Sequence, residues 1–185
     1  MAPDWPFLST EALARGELNR YQLSTQYDAV LRNVYVPKGQ VLTAADKAVA
    51  AWLWSGRRAT AAGLSGAALL GSRWIDAAQP AELDQPSRYK TKGIVLHSDA
   101  LADNERCFIR GIPVTSPVRT AFDLGRRRGQ TMAVIRIDAL MQANNVKPTE
   151  VEWIAAATAE RAGRSSCARY WTLPVPSHRR KLARG

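Results

Sequence analysis

Between Leu18 and Gly39, in LNRYQLSTQYDAVLRNVYVPKG, helical spacing gives way to strand alternation within a few residues. One segment cannot hold a 3.6-residue period and a period of two at once. The chain is therefore expected to begin with short helices and short strands joined by tight corners. Upstream, Ser9 or Thr10 can cap a helix through TEALARG, with Leu8, Ala12 and Leu13 on one side and Gly16 as its stop. Asn19 can cap a second helix from Arg20 to about Gln26. DAVL and VYVP then read as a hairpin with its corner at Arg32-Asn33, because Asn tolerates left-handed dihedrals. Residues 1–40 thus outline a small helix-turn-helix followed by a β-wing.

The rest of the chain reads as a larger α+β unit, residues 41–163, with short antiparallel strands flanked by helices. Thr43, with Asp46 three residues on, opens a core helix through AADKAVAAWLW, lined by Ala48, Ala51, Trp52 and Ser55. TAAGLSGAALLG is expected to be a helix capped by Thr60 and ended by Gly71, its small residues letting the backbone press on a neighbour. AELDQ, GIVLHS, ERCFIRG and IPVTS read as strands, the last two joined at Gly111. Ser116-Pro117 starts the next helix. TMAVIRIDALMQANN follows, with Met132, Ile135, Leu140 and Met141 expected on one face, and then a helix capped by Thr149 with Glu152 three residues on. Residues 164–185 carry prolines and scattered arginines without periodicity and read as a basic irregular tail.

The formal net charge of +10 invites a nucleic-acid reading, but its distribution weakens that argument. Residues 1–45 hold four bases and four acids, residues 46–160 fifteen bases and twelve acids, and residues 161–185 seven bases and no acid. Cys107, Cys167, His97 and His178 are too isolated for a zinc site, so neither metal nor cofactor is expected. No apolar run reaches the roughly 18–20 residues of a membrane span. The N-terminus has early acids and no basic leader, so a cytoplasmic protein is expected. GLSGAALLG follows no evident strand and ends in no Lys-Ser/Thr, which argues against a phosphate cradle. Glu82 and Asp84 read as ordinary strand-end carboxylates, and Arg126, Arg127 and Arg128 as cations complementing a helix end. With no catalytic motif present, the chain reads as a non-enzyme.

The candidate contacts to double-stranded DNA lie in the first unit. A recognition helix presents its first residues to base edges, here Arg20, Tyr21 and Gln22, then Thr25 and Gln26. Arg suits guanine and Gln suits adenine through paired hydrogen bonds. Arg32 at the corner suits the minor groove or a phosphate, and Lys38 in the closing turn suits a phosphate.

FLSTEALARGELNRYQLSTQYDAVLRNVYVPKG, KAVAAWLWSGRRATAAGLSGAALLGSRWID and GIPVTSPVRTAFDLGRR together resemble a bacterial family of AbiEi-type antitoxin-like proteins, over roughly residues 7–163. The resemblance implies a winged helix-turn-helix with Leu18 to Gln26 as recognition helix and Asp28 to Pro37 as wing. It implies a type IV antitoxin, a DNA-binding autoregulator of its own promoter that counters a nucleotidyltransferase toxin. Longer relatives look as if they continue into a restriction-endonuclease-like domain, so no catalytic residue carries over. The alternative is a catalytically inactive, truncated relative acting only as a protein-interaction module. A cognate toxin and a second copy of the chain are the protein partners these readings allow.

The similarity breaks near Gly163. Shifting the frame by two across Tyr170-Trp171-Thr172 always yields an apolar residue followed by Leu-Asp, which resembles the family's continuation. The tail is therefore expected to arise from a frameshift. The gene sequence checks this: a shifted frame that stays open and carries on the family pattern supports it, and immediate stops overturn it.

Overall fold

The computed structural model describes residues 4–86, 91–126 and 130–161. The tail from residue 164, with Cys167 and His178, lies outside the described residues, as do Arg127 and Arg128. The fold is α+β, with two sheets of short strands and seven helices among the described residues.

The first sheet is three-stranded and antiparallel, in the order β1-β3-β2, from β1 (Phe7–Leu8), β2 (Tyr27–Leu31) and β3 (Val34–Pro37). Helices α1 (Ser9–Ala14) and α2 (Arg20–Gln26) lie between β1 and β2 in the chain. Phe7, Ala12, Leu18 and Tyr27 form their shared core, with Phe7 and Tyr27 edge to face at 5.1 Å. Such a ring pair adds roughly 0.5–1.5 kcal/mol beyond its buried area. The β2–β3 hairpin turns at Arg32-Asn33, where Asn33 takes φ +67°. A register shift between Ala29 and Leu31 resets the pairing, so Val30 and Leu31 both reach the apolar cluster around Val34.

Asn33 also corrects the expected start of α1. Neither Ser9 nor Thr10 caps that helix; both lie inside its first turn. The cap comes from across the sheet. Asn33 Oδ1 accepts from the Thr10 N–H at 3.2 Å and from the Ser9 hydroxyl at 2.6 Å, while its Nδ2 donates to Thr10 Oγ1 at 3.0 Å. The Ser9 N–H donates to the Asn33 carbonyl as well. The hairpin corner is thus bonded to the start of α1.

Helix α3 (Ala44–Trp54) starts at the expected Thr43–Asp46 capping box. It is apolar on two sides because it has two neighbours. Ala50 and Leu53 pack with Val34 of the first sheet, and Ala51 packs into the main core. That core covers a five-stranded sheet, order β6-β5-β4-β8-β7, built from β4 (Thr60–Ala61), β5 (Ala81–Asp84), β6 (Ile94–His97), β7 (Arg106–Ile109) and β8 (Ile112–Thr115). The strands are not all antiparallel as expected: β5 and β6 pair in parallel, and so do β4 and β8. Nine residues separate β5 from β6 and about fifty separate β4 from β8, whereas the tight Arg110-Gly111 corner makes β7 and β8 antiparallel.

Thr60 belongs to β4 and caps nothing. Helix α4 (Gly63–Leu69) starts after Ala62, so the glycine-rich segment does follow a strand, one of two residues. The expected close packing is present. A Cβ on Gly66 would sit 3.0 Å from Thr115 Oγ1 and 3.3 Å from the Ala61 carbonyl oxygen. Helix α5 (Pro117–Gly125) opens with Ser116 as cap and Pro117 in its first turn. Helices α6 (Gln130–Asn144) and α7 (Pro148–Arg161) pack against α5. In α6 the buried side is Ala133 and Leu140, and Met132 and Ile135 are exposed. Apolar residues occur on both sides of this helix, so the period alone selects no face. Helix α7 begins one residue before Thr149, and the Lys147 N–H donates to Glu150. Proline's fixed φ favours that earlier first turn.

Asn33→Ala removes the bonds from the hairpin corner to α1. Urea unfolding is expected to show a loss of about 0.5–2 kcal/mol, the range for losing a helix cap.

Candidate functional site

The expected DNA-contacting residues separate into two groups. Arg20, Tyr21, Gln26 and Arg32 are exposed, with Tyr21 at 76%. Gln22, Thr25 and Lys38 are engaged locally. Asn19 accepts from the Gln22 N–H at 2.8 Å, and the Gln22 side-chain oxygen accepts from the Asn19 N–H at 2.9 Å. This reciprocal capping box occupies the acceptor that an adenine would need. Thr25 Oγ1 donates to the Tyr21 carbonyl at 2.8 Å. Lys38 Nζ donates to the Ser24 carbonyl at 2.9 Å, and its N–H to the Gln26 carbonyl. Lys38 therefore ties the end of β3 to the end of α2.

No residue of α2 is buried, although Leu23 packs partly on the Phe7 cluster. The helix is held at its first residues by the box and at its last by Lys38. The nearby acids are matched: Glu11 accepts both Arg57 nitrogens, at 2.5 and 2.8 Å, and Glu17 pairs with Arg15. The Arg57 guanidinium holds the Glu11 carboxyl below its ordinary value. Asp28 on β2 is exposed.

A second site was not legible as such. Ala62, Gly63, Asp84, His97, Asp99, Asp123 and Arg126 line a cleft of about 250 Å³. Asp84 and His97 end the parallel strands β5 and β6 side by side in register. Behind them, Arg119 is 1% exposed and donates to Asp99 at 2.6 Å, Glu105 at 2.9 Å and Asp123 at 3.1 Å. Arg126 Nη2 donates to Asp99 and to Asp123. Arg126 was expected to serve the helix end; it does follow α5, but its guanidinium is clamped on these carboxylates. Burial works against an ionised Asp99, yet the Arg126 bond and the nearby Arg charges outweigh it and hold its carboxyl below the usual value.

Glu82 and Asp84 are not solvated strand ends. Strand β5 lies between β4 and β6 and is buried along its length, which leaves Glu82 1% and Asp84 9% exposed. Glu82 Oε2 lies 3.0 Å from His97 Nε2. Asp84 Oδ2 accepts the Asp99 N–H at 3.1 Å. Burial raises the Asp84 carboxyl above its ordinary value, against the pull of that N–H. Among the described residues no group of three His, Cys, Asp or Glu side chains is set to hold a metal ion. Cys107 is half-buried, and burial pushes its thiol up. No helix among the described residues is long and apolar enough to cross a membrane.

No family model and no curated protein matches the chain.

Folding raises the Asp84 carboxyl, so the folded chain holds this proton more tightly than the unfolded chain does. That contribution is full below the ordinary aspartate value of about 3.8 and is lost as pH rises through the raised value. Asp84→Asn cannot ionise. Denaturant unfolding is expected to find it more stable than the parent chain at pH 7, with the gap closing toward pH 4.

Proposed function

We propose that the chain is a DNA-binding transcriptional autoregulator of antitoxin type, with β1, α1, α2 and the β2–β3 hairpin acting as a winged helix-turn-helix. The observation that carries this reading is α2 itself. It buries no residue, yet bonds from Asn19, Gln22 and Lys38 hold both its ends. A helix fixed in this way and turned outward is arranged to present side chains. Arg20, Tyr21 and Gln26 are the base-reading set on this view, and Arg32 reaches the minor groove or a phosphate. Gln22 and Lys38 keep the set in place.

The acids of this unit match its bases in number, so binding leans on a few placed contacts more than on counterion release. A shallow salt dependence follows. Phe108 on β7 and Trp153 on α7 are large, exposed apolar groups. They suit a protein partner, either a toxin or a second copy of the chain. The toxin-neutralising part of the reading rests on the quoted sequence motifs.

Fluorescence anisotropy on the DNA immediately upstream of the protein's own reading frame tests the helix assignment. At fixed salt, Arg20→Ala is expected to weaken binding by about 1–3 kcal/mol, the cost of one lost base contact. Unchanged affinity with an intact fold overturns it.

A further inference from the structure

We infer that the cleft at the ends of β5 and β6 is a binding site for a compact organic cation rich in N–H donors, a guanidinium or primary ammonium, held between Asp84 and His97. Asp84 stands apart from the neighbouring carboxylates. Asp99, Glu105 and Asp123 each accept from a guanidinium, supplied by Arg119 or Arg126. Asp84 is 9% exposed, yet among the described residues it forms no ion pair, and its one hydrogen bond is the Asp99 N–H to Oδ2. Among the described residues no donor reaches its Oδ1, and the residue lines the cleft. Arg119 and His97 act on it only through space, and Arg126 on the cleft wall is bonded to Asp99 and Asp123. A buried carboxylate without a bonded cation is costly.

His97 provides the second acceptor. When the imidazole donates from Nε2, the Glu82 carboxylate 3.0 Å away is its acceptor. Nδ1 then keeps its lone pair. Among the described residues it has no partner, and the ring lines the cleft with its side chain 34% exposed. Asp84 and His97 are register partners on adjacent strands, so Oδ1 and Nδ1 can serve one ligand. Two acceptors and one carboxylate without an ion-pair partner among the described residues suit a cation bearing at least two N–H groups. Crevices beyond the carboxyl ends of parallel strands are common ligand sites in α/β sheets. The inference is independent of the DNA reading, since no residue of the cleft belongs to the first 40.

The same chemistry is available from a free amine or from an Arg or Lys side chain of another protein. Calorimetric titration of the full chain therefore uses two probes, methylguanidinium and an acetylated, amidated Gly-Arg-Gly peptide. Saturable one-site binding of either, with imidazole NMR shifts at His97, supports the site. Tighter binding of the peptide assigns the source to a protein side chain, and equal or tighter binding of methylguanidinium to a free small molecule. Asp84→Asn keeps an oxygen for the Asp99 N–H, so it folds, and it is expected to lower the affinity by about tenfold or more, as for a lost buried charge partner. His97→Phe is expected to weaken binding as well. Four results overturn the inference: no saturable binding of either probe, unchanged binding by Asp84→Asn, equal binding of tetramethylammonium, which has no N–H donor, or occupation of His97 by Zn²⁺ or Mg²⁺ alone.

Discussion

The Arg119 guanidinium is the interaction on which the main body depends. It is almost wholly buried and bonded to Asp99, Glu105 and Asp123. A charge removed from water in this way is tolerable only when its partners are complete, and removing one partner leaves the rest uncompensated. Arg119 sits on α5, Asp99 follows β6, and Glu105 closes the 3-10 turn before β7. One side chain therefore joins a helix to the connection between two strands that are not neighbours in the sheet. The Glu105 carbonyl takes the Ser116 N–H, which places the start of α5 against the same turn. The cleft follows from this arrangement: its far wall is Asp99, Asp123 and Arg126, with the buried Arg119 bonded to both carboxylates.

Helix α3 is the second organising element. It serves both sheets, with Ala50 and Leu53 turned to Val34 and Ala51 turned to the larger core. The Glu11–Arg57 pair adds a polar contact from α1 to the segment just after α3, and the Arg57 guanidinium lies over the Trp52 ring. The two parts of the fold share a wall instead of meeting through a linker, so a change in one is transmitted as packing in the other.

Elements with local signals were legible in the sequence. The Thr43–Asp46 box, the Ser116-Pro117 start and the Arg110-Gly111 corner depend on neighbouring residues, and the structure places each where its spacing implies. The strands β1 and β4 have two residues each, too few to display alternation. The cap of α1 comes from Asn33, 23 residues away from Thr10, and no local pattern announces it. Gln22 is different. Asn19-x-x-Gln22 is a capping-box spacing, and the signal was there to read, but glutamine's value as an adenine reader hid it. The cleft was missed because burial of Glu82 and Asp84 follows from the central position of β5. That position is set by which strands pair, a property of the whole sheet and not of AELD.

Because α2 is fixed by bonds at its ends and buries none of its residues, its outward positions carry little of the fold's stability. Arg20, Tyr21 and Gln26 can be exchanged while the Phe7 cluster and the capping box stay intact. Whatever that face contacts, the chain can acquire a new preference by single substitutions without first acquiring a new core. Surface identity and structural integrity are thus inherited separately in this small unit.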